Sequence, residues 1–512
     1  MAVTCKLLFE NLTKQNSLRD FICSSIPDSE LSLLDQLGRG ESYVVPYECG
    51  HDAFINLAEN YPDFIAVEDG FESITYGELN RLSDDVARSL IADGTKVGDY
   101  IGIVTKRSIP MIINIFGVLK SGAAYVPIDS TIPTERIRYM LEMAKCKFIL
   151  VHEELKELQI LLGGYKVKPN SSKSPVMSRV AKNDPAIVVF TSGSTGKPKG
   201  IVISHCSLSS YAYADPNELF SKPNWRVAQM SSISFDMCIT EIFTTLSTLG
   251  TLVLRKSDDF FSVLKTVDAT VLTPSALIKM EPMDFPNLKV IVIGGEACPQ
   301  SVCDKWAGVV RLYNCYGPSE TSMSSSMGQL LPNCNIHIGK PIKNTLHYIV
   351  DKFLQLVPFG VTGELVIGGA GVSLGYINQP QLTEEKFLIN YFENDGSKMY
   401  RTGDVCRWTE DGNLQIMGRL DDMVKVKGYR IELNEVSAMI STYKEVEYAT
   451  VILKDEMLLA FVTPKQVNSK DLHQHLSKIL PIFMLPSKYI MLDTLPMNQN
   501  GKVSQRHIIS LD

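Results

Sequence analysis

Residues 187–200 read Ile-Val-Val-Phe-Thr-Ser-Gly-Ser-Thr-Gly-Lys-Pro-Lys-Gly, an apolar run that breaks into glycines, hydroxyls and lysines. The run is short and β-branched, as a buried strand requires. Gly193, Gly196 and Gly200 let the backbone turn sharply and bring N–H groups close to an anion. Thr191, Ser192, Ser194 and Thr195 add hydroxyl donors, and Lys197 and Lys199 add charge that a phosphate neutralises. This is not a Walker A loop, because Pro198 follows Gly196-Lys197 and Thr191, not Gly, stands five residues before Gly196. Taken alone, a Ser/Gly tract is a flexible loop. A buried strand running straight into the tract makes an anion cradle the better reading.

Outward from this loop, short β-branched runs alternate with helical patterns. Residues 101–104, 124–128, 148–151 and 187–191 read as strands, and 109–119 as a helix. Residues 289–294 read as another buried strand. Such alternation predicts an α/β chain with parallel sheets covered by helices. From 347 to 417 the strands shorten and turns crowd in, as in a small antiparallel barrel. Helical patterns at 433–441 and 469–480 alternate with strands at 449–452 and 457–462, which predicts a small α+β unit. The division expected is a leader over 1–45, with helical patches at 18–24 and 29–37, a large N-terminal core over 46–420 and a small mobile C-terminal lid over 421–512. Residues 170–173 read as a polar loop.

Composition narrows the class. At 512 residues the chain is too long for one core. Its net charge of -7 gives no argument for nucleic acid or an anionic membrane. No apolar run reaches the ~18 residues a membrane helix needs, and 1–9 carry no secretory signal. The 11 cysteines lack CxxC spacing, which fits reduced thiols in a cytoplasmic protein and neither a disulfide frame nor a zinc site.

The loop 191–200 closely resembles the signature phosphate loop of the adenylate-forming superfamily, which includes acyl-CoA synthetases, luciferases and the adenylation domains of nonribosomal peptide synthetases. The likeness extends from Ile74 to Lys502. Ile74-Thr75-Tyr76-Gly77-Glu78-Leu79 and the segment 119–129 resemble the first two core motifs of peptide-synthetase adenylation domains, both structural. Asn314-Cys315-Tyr316-Gly317-Pro318-Ser319-Glu320 resembles the adenine motif, with Ser319 where the family usually has Thr. By this resemblance Asn314 and Tyr316 hold adenine, an aromatic face stacking on the base while an amide reads its edge. Glu320 binds Mg²⁺, a hard cation that takes carboxylate oxygens. Tyr400-Arg401-Thr402-Gly403-Asp404 resembles the ribose motif, with Asp404 on the two hydroxyls. Taken alone, both stretches are ordinary turns; their order along the chain gives them chemical meaning.

In the segment 418–433, the resemblance places Arg419 on ribose or phosphate and makes Asp421 the hinge of the small domain. Asn500-Gly501-Lys502 resembles the catalytic-lysine motif, with Lys502 bridging the α-phosphate and the substrate carboxylate. Ser504 stands where the family often has Asp, and Leu374 where it usually has Arg. Thr195, Glu320 and Lys502 are thus the implied catalytic set. Thr191, Ser192, Gly193, Ser194, Thr195, Gly196 and Lys199 cradle the phosphates of ATP.

Substrate class turns on Ser234-Phe235-Asp236. In amino-acid-activating members an Asp after Phe pairs with the substrate ammonium, and a buried carboxylate needs such a cation. The implied side-chain pocket is Asp236, Met237, Thr240, Val271, Val292, Gly294, Cys315, Met323 and Ser324. It offers no second carboxylate, which predicts a bulky neutral side chain. Resemblance to fungal siderophore synthetases points to an acylated hydroxyornithine. The implied partners are the phosphopantetheine thiol of a peptidyl carrier domain and an upstream condensation domain, with the chain itself a monomer. No carrier-type Ser motif follows Lys502, so the carrier is expected elsewhere. Two other readings remain open: an acyl- or aryl-acid CoA ligase, which Asp236 opposes, and a catalytically silent scaffold homologue, which the intact series Thr195, Glu320, Asp404 and Lys502 opposes.

Overall fold

The computed structural model describes residues 26–168, 176, 180–192, 197–214, 221–255, 261–420 and 423–493. The helical patch at 18–24 and the loop at 170–173 lie outside them.

Two large mixed sheets carry the N-terminal core. The first orders its six strands as Gly375–Tyr376, Lys199–Ser204, Pro185–Thr191, Ala124–Asp129, Tyr100–Thr105 and Phe148–Val151. Its last four are parallel. Pro185–Thr191 and Lys199–Ser204 instead form an antiparallel hairpin, with Thr191 opposite Lys199. The second sheet has nine strands. A parallel ladder runs through Arg311–Tyr316, Val290–Ile293, Ala269–Leu272, Arg226–Gln229, Thr251–Leu254 and Ile65–Glu68. Near-continuous apolar runs such as Val290–Ile293 are what strands covered on both faces require, and all four of its residues are buried.

Helices fill the space between these sheets. Thr75 and Glu78 form a reciprocal capping box that starts the helix Tyr76–Ala92, which explains the first core motif in physical terms. Ser108 caps Ile109–Lys120 by accepting from the Met111 amide. At the end of that helix the Lys120 ammonium is buried and ion-paired to Asp84 at 2.8 Å, tying the two helices together. Phe54, Phe116 and Phe243 meet at ring separations of 4.3 and 5.5 Å in the centre of this core.

The antiparallel region is a five-stranded sheet, in which Lys398–Trp408 pairs with Gly363–Gly369, Phe387–Ile389 and Leu414–Arg419. The helix Asp28–Gly38 packs on it, burying Leu34 in one cluster with Tyr316, Leu365 and Trp408. The small C-terminal unit has its own apolar core around Val436, Ile440, Ala460, Leu472 and Met484. It comprises the hairpin Met423–Val426 with Tyr429–Glu432, a three-stranded sheet, and the helices Leu433–Ile440 and Ser469–Leu476. The second helix ends at Leu476, short of the expected Leu480. Among the described residues, no helix is long and apolar enough to cross a membrane.

Candidate functional site

The two core sheets, the antiparallel sheet and the small unit's hairpin converge on one cleft. Glu320 lies at its centre, in the short turn Ser319–Thr321 that follows the strand Arg311–Tyr316. It is fully buried. The Tyr376 hydroxyl donates to it at 2.8 Å, Arg430 pairs with it at 2.8 Å and Lys199 at 3.4 Å. Burial works to raise the Glu320 pKa, but the charges of Arg430 and Lys199 overcome it and hold the carboxyl well below its usual range. Burial pushes the Lys199 pKa down to about 8, and Arg430 adds to that.

Asp404 stands opposite Arg419 in the ladder between Lys398–Trp408 and Leu414–Arg419, and the two side chains pair at 2.6 Å. The other Asp404 oxygen accepts from the Tyr316 hydroxyl. Asn314 donates its side-chain N–H to the His337 carbonyl at 2.8 Å, which fixes the amide plane. Lys425 lies 5.6 Å from the Tyr316 ring centroid, in the range of a cation–π contact.

Asp236 is buried directly before the helix Met237–Leu246 and accepts from the Ser319 hydroxyl. Burial raises its pKa, while the Ser319 hydrogen bond and the Lys425 charge work the other way. Such a carboxyl stays ionised only beside a donor set or a cation. Ser319, one residue from Glu320, therefore links the two acidic centres.

The phosphate loop falls between the paired strands Pro185–Thr191 and Lys199–Ser204. Gly193, Ser194, Thr195 and Gly196 lie outside the described residues, as do Asp421 and Lys502. Ser192 donates to the Arg430 carbonyl at 2.7 Å. The Thr191 hydroxyl is buried without a hydrogen-bond partner among the described residues, at the start of the stretch that the sequence reads as an anion cradle.

Two cavities meet at Met237. The smaller is lined by Asp236, Met237, Cys315, Met323 and Ser324, with Tyr316, Asp404 and Lys425 across from them. The larger, about 1010 Å³, is lined by Met237, Val271 and Gly294, with Phe235, Gly428, Lys427, Lys106 and Glu154 also in its walls. Asp129 also lines it, but its oxygens already accept from Ser232 and Thr131. Val292 packs with Val271, Met237 and Cys315 in one apolar cluster. Thr240 is buried with its hydroxyl 3.0 Å from that of Tyr211, and it lines neither cavity. Burial pushes the Cys315 thiol up to about 11, so it remains protonated.

The small unit closes one side. Gly428 has φ of +81°, and a Cβ there would meet the Thr273 methyl at 2.7 Å. A Cβ on Gly295 would come within 3.3 Å of the Gly428 Cα. Only glycine at the hairpin tip allows this approach. Tyr376, and the placing of Lys425 and Arg430 in the cleft, were not foreseen as site features. The one signal for Tyr376 was a buried phenol, whose hydroxyl must find a partner.

The donor set suits a magnesium nucleotide. Glu320 is a buried carboxylate held toward its ionised form, Asp404 is of a type that accepts from a diol, and Lys199 and Arg430, both paired with Glu320, together with the Thr191 hydroxyl are donors of the kind that phosphate takes.

Comparison with known proteins identifies the family. The model of the AMP-binding enzyme family matches residues 54–377, and that of the AMP-binding enzyme C-terminal domain matches 435–502. Nonribosomal peptide synthetase sirP of Leptosphaeria maculans is 38% identical over 90% of this chain and 22% of its own length. An adenylate-forming reductase of Coprinopsis cinerea is 33% identical over 95% of this chain and 48% of its own. The chain thus spans less than half the length of these relatives. A nonribosomal peptide synthetase protein containing adenylation and PCP domains, solved with a vinylsulfonamide inhibitor, superimposes with a TM-score of 0.81 at 24% identity, covering 94% of this chain and 86% of that one. With both its large and its small unit matched, the chain belongs to the family of AMP-binding enzymes.

Proposed function

We propose that this chain activates an amino acid as its adenylate with ATP and Mg²⁺ and passes the aminoacyl group to the phosphopantetheine thiol of a carrier domain. Asp236 carries the reading. It is a buried carboxylate in the wall of the smaller cavity, one hydrogen bond from the Ser319–Glu320 turn. A substrate ammonium would satisfy it and aim the substrate carboxylate toward Glu320 and Lys199.

In the first step the substrate carboxylate attacks the α-phosphorus of ATP, forming a C–O–P bond as pyrophosphate leaves. No proton needs to move, so positioning and charge neutralisation supply the catalysis. Lys199 and, by family resemblance, Thr195 hold phosphate, while Tyr316 and Asn314 hold adenine and Asp404 the ribose. Lys502 bridges the two reacting anions. Bound at Glu320, Mg²⁺ would supply a Lewis acid for the departing pyrophosphate. In the second step the small unit turns about Asp421, and a thiol reaches the adenylate through the larger cavity, past Gly428 and Phe235. The sulfur bonds to the acyl carbon, AMP leaves and the thiol proton is lost to solvent.

The walls around Met237, Val271, Val292 and Cys315 favour a long, uncharged side chain. An acylated hydroxyornithine of a siderophore fits that description. The carrier, and a condensation domain before this chain, complete the proposed synthetase, with the chain acting as a monomer. All nine described cysteines are free, in keeping with a cytoplasmic setting. The adenylate-forming reductase relative supports a second reading in which the same adenylate goes to a reductive end. ATP–pyrophosphate exchange over a panel of acids tests the proposal. Exchange stimulated by a neutral, long-chain amino acid supports it; exchange only with acids lacking an α-ammonium overturns it.

A further inference from the structure

The helix Met237–Leu246, which starts directly after Asp236, is buried along its whole length, yet its fifth residue is a glutamate. A buried carboxyl is costly unless donors meet it. Glu241 has no solvent exposure, and its donors come from residues 229–231. Gln229 donates a side-chain N–H to it at 2.9 Å, the Met230 amide at 3.1 Å, and the Ser231 amide and hydroxyl at 3.2 and 3.0 Å. These three residues open the turn that leads from the strand Arg226–Gln229 to Asp236.

The first core sheet grips the same turn. Arg107, which follows the strand Tyr100–Thr105, donates to the Gln229 side-chain oxygen and to the carbonyls of Met230 and Ser231 at 2.8 and 3.0 Å. Asp129 ends the neighbouring strand. It accepts from the Ser232 hydroxyl at 2.6 Å, and its amide donates to the Ser234 hydroxyl at 2.8 Å. The Phe235 amide closes the turn on the Ser232 carbonyl at 2.9 Å. With its amides held by Glu241 and its carbonyls by Arg107, the start of the turn is fixed from both sides.

We propose that Glu241 is a positioning residue for amine recognition: through the turn 229–236 it fixes where the Asp236 carboxyl stands, and so sets how strongly the chain prefers an α-amino acid to the same acid without its amine. This rests on the amino-acid reading above. Glu241 lines neither cavity, so its part in recognition runs through the turn. An ion pair between Asp236 and a substrate ammonium depends steeply on placement, and a displacement of about 1 Å at a binding group is felt strongly in the rate. A glutamine at 241 would offer an NH₂ group to backbone amides that need an acceptor. The turn would then have to shift, and Asp236 with it.

The test compares the unmodified chain with Glu241→Gln, Arg107→Met, Asp236→Asn and the double variant Glu241→Gln/Asp236→Asn. ATP–pyrophosphate exchange is measured with acids in matched pairs, with and without the α-amine, and read as the ratio of the two kcat/KM values. Glu241→Gln is expected to lower that ratio by about tenfold or more, chiefly through the KM of the amino acid, with the KM for ATP within about twofold. In the Asp236→Asn background the same change should move the ratio by less than about twofold. Arg107→Met, placed on the other sheet, should lower the ratio in the same direction and carries the comparison if Glu241→Gln does not fold. Hydrogen exchange in the ligand-free chain should quicken by about tenfold or more across 230–236 in Glu241→Gln, with Val290–Ile293 unchanged. An equal fall for both acids of a pair overturns the proposal, because that is what a merely structural role would give. So does an undiminished loss when Asp236 is already replaced, or unchanged hydrogen exchange across the turn. An unmodified chain whose exchange ignores the amine would refute the amino-acid reading instead, and hydrogen exchange would still decide whether Glu241 holds the turn.

Discussion

Around Glu320, Asp404 and Asp236, each carboxylate meets named donors: Tyr376, Arg430 and Lys199 on the first, Tyr316 and Arg419 on the second, Ser319 on the third. Around Val271, Val292, Met237 and Cys315 the walls are apolar and touch mainly one another. The polar end is held by directional bonds and cannot change a residue without stranding a charge. The apolar end is held by shape and can exchange side chains at modest cost. The contrast teaches that chemistry and specificity are separable here, since a chain can keep the first region fixed and vary the second.

The largest expected effect breaks the polar end at its centre. Glu320→Gln leaves Lys199 and Arg430 buried without their carboxylate, so pyrophosphate exchange should fall by roughly 10²–10³-fold or more. Near-normal exchange at saturating magnesium would remove Glu320 from the machinery.

Next is Asp236, where the two regions meet. Asp236→Asn should cost about 2–5 kcal/mol in kcat/KM for amino acids and little for the matching acid without its amine. Acidity acts at the same point. Asp236 must be ionised to pair with an ammonium, and burial raises its pKa above the ordinary 3.8. Amino-acid-dependent exchange should therefore decline as pH falls through that raised value, and the residual activity of Asp236→Asn should lack this acid limb. Identical pH profiles would contradict the pairing.

A smaller loss is expected from Tyr376→Phe. It removes one hydrogen bond to an ionised Glu320, worth about 1.5–3 kcal/mol, without changing the packing of the ring. Equal kinetics in the variant would show that the phenol is only a spacer.

How far the sequence foretells this contrast differs between the two ends. The polar end was legible, because Glu320, Asp404, Asp236 and Lys199 sit in ordered motifs whose residue types match their chemistry. Its partners were less so: the contacts of Tyr376, Ser319 and Arg430 depend on three separate units meeting, and no local pattern records that. The apolar end was legible only as a set of small and branched residues. Thr240 turned out to face Tyr211, and Val292 to pack among its neighbours, because the rotation of a helix and the tilt of a strand come from tertiary packing. The strands and the capped helices followed from periodicity and capping residues. The hairpin 185–204 did not, since an apolar strand reads alike in a parallel or an antiparallel setting.

The smallest expected effect sharpens the apolar end. A Cβ on Gly294 would lie 2.6 Å from the Cys315 sulfur. Gly294→Ala should thus shift preference toward shorter side chains by about 1–3 kcal/mol, read as a ratio of kcat/KM values, with no general loss of adenylation. An unchanged preference would place the substrate side chain elsewhere.

The central claim is that this chain makes an aminoacyl adenylate, and the most direct measurement is ATP–pyrophosphate exchange with matched pairs of acids, each with and without its α-amino group. The account predicts exchange that requires the amine, is strongest for a long neutral side chain, and loses its amine dependence in Asp236→Asn. Exchange that is indifferent to the amine in the unmodified chain, or absent with every acid, would contradict it.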